Sequence, residues 1–134
     1  MDMEKAVIIA GVGCKRGAPM GDIETALHTA LARAGVNATD LGAIATGKTK
    51  RGEPGIETLA AKLGVKLMLI PDSELKAAGD RAMTRSDRVM ALMDLPSLAE
   101  TAALAAAGPS ARLIVSRLTV GAATCALAAS DAVR

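Results

Sequence analysis

The sequence predicts an α/β protein, a three-layer α/β/α sandwich built on a mixed sheet. Three observations carry that expectation. Short β-branched apolar runs alternate along the chain with helical stripes, the pattern of strands covered by helices. The last two apolar runs are separated only by a short turn at Gly121, which makes them an antiparallel pair. At 134 residues, with no repeat, linker or low-complexity stretch, the chain reads as one domain over 1–134 with room for a buried core.

The elements follow in order. Residues 5–12 are a continuous apolar run, as in a strand buried on both faces. A glycine-rich segment, Gly11-Val12-Gly13-Cys14-Lys15-Arg16-Gly17, reads as the loop between this strand and a helix. Residues 22–34 then set Ile23, Ala26, Leu27, Ala30, Leu31 and Ala34 on one stripe, and Gly35 ends the helix. Leu41 to Thr46 is a second strand, followed by a polar loop over 47–53. Pro54 suits a first helical turn, with Ile56, Leu59, Ala60 and Leu63 inward and Gly64 as the stop. Val65 to Ile70 is a third strand. Pro71 and Asp72 open a short helix to about Ala77, and 78–85 read as loop.

Ser86 and Asp87 can cap a helix through Met93. Ser97 caps an alanine-rich helix to about Ala107, with Glu100 as capping-box partner, before Gly108 and Pro109. Leu113–Leu118 and Ala122–Ala128 are the final strands.

Composition removes several function classes. The chain contains no Phe, Tyr or Trp, so its core is aliphatic, rich in alanine and methionine, and nothing can stack on a nucleobase. A net charge of +2 is too small to argue for a nucleic-acid partner. No apolar run reaches membrane-spanning length, and the run at Ala6–Val12 is too short for a signal peptide; a cytoplasmic protein is expected. Two cysteines and one histidine provide no metal-ligand spacing, and neither metal nor cofactor is expected.

Gly42 to Thr49 matches the P-loop pattern letter for letter. The physics does not follow, because the residues between its glycines read as strand and Lys-Arg-Gly-Glu-Pro cannot start a helix before residue 54. The first loop is the better anion site. Gly11, Gly13 and Gly17 would let its amides converge before a helix N-terminus, and Lys15 and Arg16 add charge. Lys48, Lys50 and Arg51 form a second cationic cluster. Cys14 beside those cations is a candidate nucleophile, but His28 falls off the apolar stripe of the first helix and reads as a surface residue rather than its base. Cys125 reads as packing. Glu53 is a disfavoured helix cap, so its carboxylate is either a tolerated surface group or held for another purpose near Lys50 and Arg51.

Read together, these segments resemble the family formed by the cobalamin-biosynthesis protein CobE and the C-terminal domain of CbiG. The family's Gly-x-Gly-Cys-Arg-Arg-Gly loop is matched by Gly11–Gly17, and its Ala-Thr with Lys-x-x-Glu-Pro-Gly by Ala45-Thr46 and Lys50–Gly55. Its Pro-Ser-Val-Ala-Glu segment is matched by Pro96–Leu104, and its Thr-x-Ala-x-Ala strand by Thr124–Ala128. Lys15 stands for the commoner arginine, Asp94 for a usual glycine, and Arg117 aligns with the lysine before the last strand.

The resemblance, closest to the stand-alone members, implies an α/β/α fold and a role in corrin-ring assembly. It implies a protein that binds a corrin or precorrin intermediate through its carboxylates and supports its processing or transfer, without independent catalysis. The expected ligand-binding residues are Gly11, Gly13, Cys14, Lys15, Arg16, Gly17, Lys50, Glu53, Glu100 and Arg117, with the amides of Gly13–Gly17 as a cradle. Two other readings stay open. One is a precorrin hydrolase or isomerase using Cys14 or Glu53, related to the lactone-opening step that CbiG performs. The other is a scaffold for other enzymes of the pathway.

Overall fold

A computed structural model describes residues 7–48, 53–79 and 98–130. The elements run β1 (Ile8–Cys14), α1 (Met20–Ala34), a 3-10 turn (Ala38–Asp40), β2 (Leu41–Gly47), α2 (Pro54–Leu63), β3 (Lys66–Ile70), α3 (Asp72–Ala78), α4 (Leu98–Ala107), β4 (Arg112–Val120) and β5 (Ala123–Ala129). The helix expected between Ser86 and Met93 lies outside the described residues, as does the loop expected over 78–85 beyond Gly79.

The strands form one sheet in the order β3-β2-β1-β5-β4. β1, β2 and β3 are parallel, and β5 is antiparallel to both β1 and β4, so the sheet is mixed as expected. The sheet is covered on both faces. On one, Ile23, Leu27 and Leu31 of α1 and Ile56 and Leu59 of α2 share a core with Ala10, Val12, Ile44, Cys125 and Leu127. On the other, Leu98 and Ala102 of α4 and Leu75 of α3 pack with Ile9, Ala43 and Ala45.

The helix stops work as glycine predicts. Gly35 and Gly64 take the left-handed conformation, at φ 71° and 69°, and return their N–H groups to the last helical turn. Among the bounds that differ from expectation, two bear on the site. β1 continues past Val12 to Cys14, because β5 pairs with it along its whole length, through Gly13↔Thr124 and Cys14↔Ala123. Parallel pairing with β2 ends earlier, at Gly11↔Ala45. Gly11 and Gly13 are thus strand residues, and the loop before α1 shrinks to residues 15–19. Likewise Gly47 belongs to β2 through its pairing with Ile70, which puts both glycines of the P-loop pattern inside a strand.

Gly11 has a packing task. A Cβ there would run into the backbone of Ala99 and Ala103, so α4 lies directly on β1. Small residues on both surfaces permit that approach, and the first seven residues of α4 are all buried. Leu98 at the start of α4 lies near Gly13, while α1, α2 and α3 each follow a parallel strand. All four described α-helices therefore begin at the carboxyl edge of the parallel strands.

Candidate functional site

The site grows from a four-residue turn at the end of β1. The Ala18 amide donates to the Lys15 carbonyl at 3.0 Å, and Gly17 at the third position has φ 74°. This is the type II arrangement, which requires the positive φ that glycine adopts without strain. Lys15, Arg16 and Gly17 are exposed.

Three other elements hold the turn. The Lys15 amide donates to the carbonyl of Ala122, in the β4–β5 turn, at 2.9 Å. The Ala122 amide in turn donates to Asp22 Oδ2 of α1 at 3.0 Å. Glu53, at the N-cap of α2, accepts from the Gly17 amide on Oε1 at 3.0 Å. Gly55 completes the joint, since a Cβ there would press on the Ala18 carbonyl and the Ile23 side chain.

These bonds change the expected amide cradle. Gly13 and Cys14 lie in the β1–β5 ladder, and the amides of Lys15 and Gly17 already have internal acceptors. Backbone donors with an acceptor in reach do not stay open. What the turn offers outward is the pair of cationic side chains, Lys15 and Arg16.

Glu53 is brought to this turn, but by a different contact from the one expected. Its carboxylate meets Gly17, and it makes no side-chain bond to the start of its own helix. Lys50 and Arg51 lie outside the described residues. Lys48, exposed at the end of β2, lines a cleft of about 320 Å³ with Pro71, Asp72 and Ser73. That cleft opens on the same carboxyl edge as the turn, and its size is at the lower end of small-ligand pockets.

Glu100 and Arg117 form a separate arrangement. Glu100 is 0% exposed, and its Oε2 accepts the Arg117 amide at 2.8 Å. Register explains why that amide is available. Val115 faces Leu127 while Leu118 faces Cys125, so β4 carries an extra residue there, a bulge that takes an N–H out of the ladder. The carboxylate at Glu100 is thus committed to the sheet edge, and β5 stands between Arg117 and β1. Ser97, its expected capping-box partner, lies outside the described residues.

Cys14 ends β1, half-buried against the α1-side core. His28 is on the exposed side of α1, its Nε2 3.6 Å from Glu24 Oε2. Cys125 is fully buried, and burial pushes its thiol up to about 12, so it serves packing. Among the described residues no three His, Cys, Asp or Glu side chains gather as a metal site, and no helix is long and apolar enough to cross a membrane.

Sequence reasoning missed Asp22 and two threonines. Thr46, fully buried, donates to the Val12 carbonyl at 2.7 Å, and Thr124 donates to the Gly13 carbonyl at 3.2 Å. An acidic residue in a first helical turn is ordinary, so Asp22 carried no signal of its own. The alanine-threonine pair at 45–46 entered only through a family motif, and its side-chain bond depends on how β2 lies beside β1.

An open mixed sheet covered by helices on both faces, with a cationic turn at the carboxyl end of its first strand, defines an α/β/α protein. Comparison with known proteins makes the assignment specific. Residues 8–128 match the family model described as "Cobalamin synthesis G C-terminus", and the chain belongs to that family. It is 33% identical over 129 residues to Protein CobE of a Sinorhizobium species, covering 96% of this chain and 84% of that one. The crystal structure of CobE, a protein from the cobalamin (vitamin B12) biosynthetic pathway, superposes with a TM-score of 0.90 at 29% identity, covering 100% of this chain and 98% of that one. The cobalamin biosynthesis protein chiG of Agrobacterium tumefaciens str. C58 gives a TM-score of 0.73 at 32% identity, covering 93% of this chain and 99% of that one. The chain is thus a cobalamin-biosynthesis pathway protein with the CobE fold.

Proposed function

We propose that this chain binds a carboxylate-bearing corrin or precorrin intermediate at the carboxyl edge of its sheet and supports its processing or transfer. One observation carries the reading: the turn is tied down by Ala122 and Glu53, so the backbone that carries two exposed cationic side chains, Lys15 and Arg16, is held in a fixed place. A ligand with several peripheral carboxylates suits paired cations, because charge-assisted hydrogen bonds are stronger than neutral ones. Preorganisation also lowers the ordering cost of binding. Lys50, which follows β2 in sequence, is proposed as a further charge partner.

Titration with hydrogenobyrinic acid, followed by the ligand's own absorbance, tests this. Saturable binding in the micromolar range or tighter is expected, and changing Lys15 and Arg16 together to Ala should weaken it about tenfold or more. Absence of saturable binding overturns the proposal, and unchanged affinity in the double variant removes the site. Turnover of the ligand that is lost in Cys14→Ser would instead identify an enzyme.

A further inference from the structure

We propose that Glu53 is a specificity-determining residue of this site, a resident anion that fills the turn's central amide and sets the charge an incoming carboxylate meets. The inference rests on the corrinoid-binding reading above. Its starting point is a residue out of place: glutamate is a poor N-cap, and Glu53 leaves its own helix without a side-chain cap. Its carboxylate instead crosses to Gly17, 36 positions away in sequence.

The geometry of the turn gives that contact its meaning. In a type II turn the middle peptide, here between Arg16 and Gly17, points its N–H out of the turn rather than into the turn's own hydrogen bond. The surroundings of Gly17 are open: a Cβ built there would touch nothing within 4 Å. This amide, directly after two exposed cations and beside open space, is where a ligand carboxylate would otherwise dock. Glu53 occupies it.

A neutral acceptor would be enough to anchor the turn, as the carbonyl of Ala122 does for the neighbouring Lys15 amide. A carboxylate does more, because it brings a full negative charge to the turn that carries Lys15 and Arg16. Small anions are denied that amide donor and meet a turn whose positive charge is offset by one. Only a ligand that spreads several carboxylates over both side chains recovers the binding energy. Glu53 acts here as a positioning and charge-setting residue, with no bond made or broken.

Glu53→Gln is the test, since the amide oxygen can still accept from Gly17 while the charge is gone. Hydrogenobyrinic acid should bind the variant about threefold more tightly at low ionic strength, the effect of removing one like charge ~6 Å away in a solvent-like dielectric. The gain should shrink at ~0.5 M salt, where the screening length falls to a few ångströms. It should also vanish when Lys15 and Arg16 are Ala. Unchanged affinity would make Glu53 a mere anchor, and weaker affinity would make it a direct ligand contact; either overturns the inference and leaves the binding proposal standing. Absence of binding by the unaltered chain, whether or not the variant binds, removes both proposals. A measurement on the unaltered chain guards against a variant that folds poorly. The Gly17 amide should be protected from hydrogen exchange by its bond to Glu53, and an unprotected amide overturns the inference.

Discussion

Glycines that look equivalent in one motif answer to different physics. Gly17 is needed for its backbone, since its φ of 74° lies in the region that L side chains avoid, yet the space around it is empty. Gly11 is needed for its lack of a side chain, because α4 rests its backbone where a Cβ would be. Gly17→Ala should therefore cost about 1 kcal/mol, the strain of one residue in the left-handed region. Gly11→Ala should cost ~3 kcal/mol or more, because a whole helix has to shift away from the sheet. Urea denaturation of the two variants checks the order, and equal losses would refute the close-approach account. The need for glycines between β1 and α1 was legible in the sequence. Which need each one serves was not, because Gly11 answers to Ala99 and Ala103, far along the chain.

Among the elements, α4 and β4 depend on each other through one carboxylate. Seen along the chain, Glu100 is an acidic residue in the first turn of an alanine-rich helix, and a capping box accounts for it. In the fold it lies at zero exposure, with its Oε2 on the Arg117 amide that the β4 bulge releases. Glu100→Leu should destabilise by about 1–3 kcal/mol, the cost of leaving a buried donor unpaired, and should speed exchange of the Arg117 amide. Glu100→Gln keeps an acceptor and should retain most of the stability. Denaturation combined with amide exchange at Arg117 separates the two outcomes, and a protected Arg117 amide in Glu100→Leu would dismiss the bulge-capping role. Helix bounds were readable to within a couple of residues, since apolar stripes and glycine stops are local signals. The bulge was hidden, because it exists only in the pairing of β4 with β5.

Across the whole molecule, protection should follow the sheet order. β1 and β5 are central, paired on both sides, and covered by helices on both faces. β3 is an edge strand with Lys66 exposed and Leu67 to Leu69 half-buried. The amides of Ile9, Ala10, Cys125 and Leu127 should exchange only on global opening, and those of β3 through smaller local openings. Native-state hydrogen exchange checks this, and equal protection of β3 and β5 would contradict it.

The alternation of strand and helix, the aliphatic core and the antiparallel closing pair were determined by the sequence alone, through periodicity and turn residues that act over short distances. Four motifs in order along the chain carried its kinship as well. Only the tertiary structure decided that β1 runs on through Gly11 and Gly13, since β5 supplies the pairing from more than a hundred residues away. It also decided where two carboxylates go, Glu53 to the Gly17 amide and Glu100 to the β4 bulge. A hydrogen bond across such separations depends on strand register and helix docking, which no local pattern encodes. The sequence marked the residues of the site, and the fold assigned their partners.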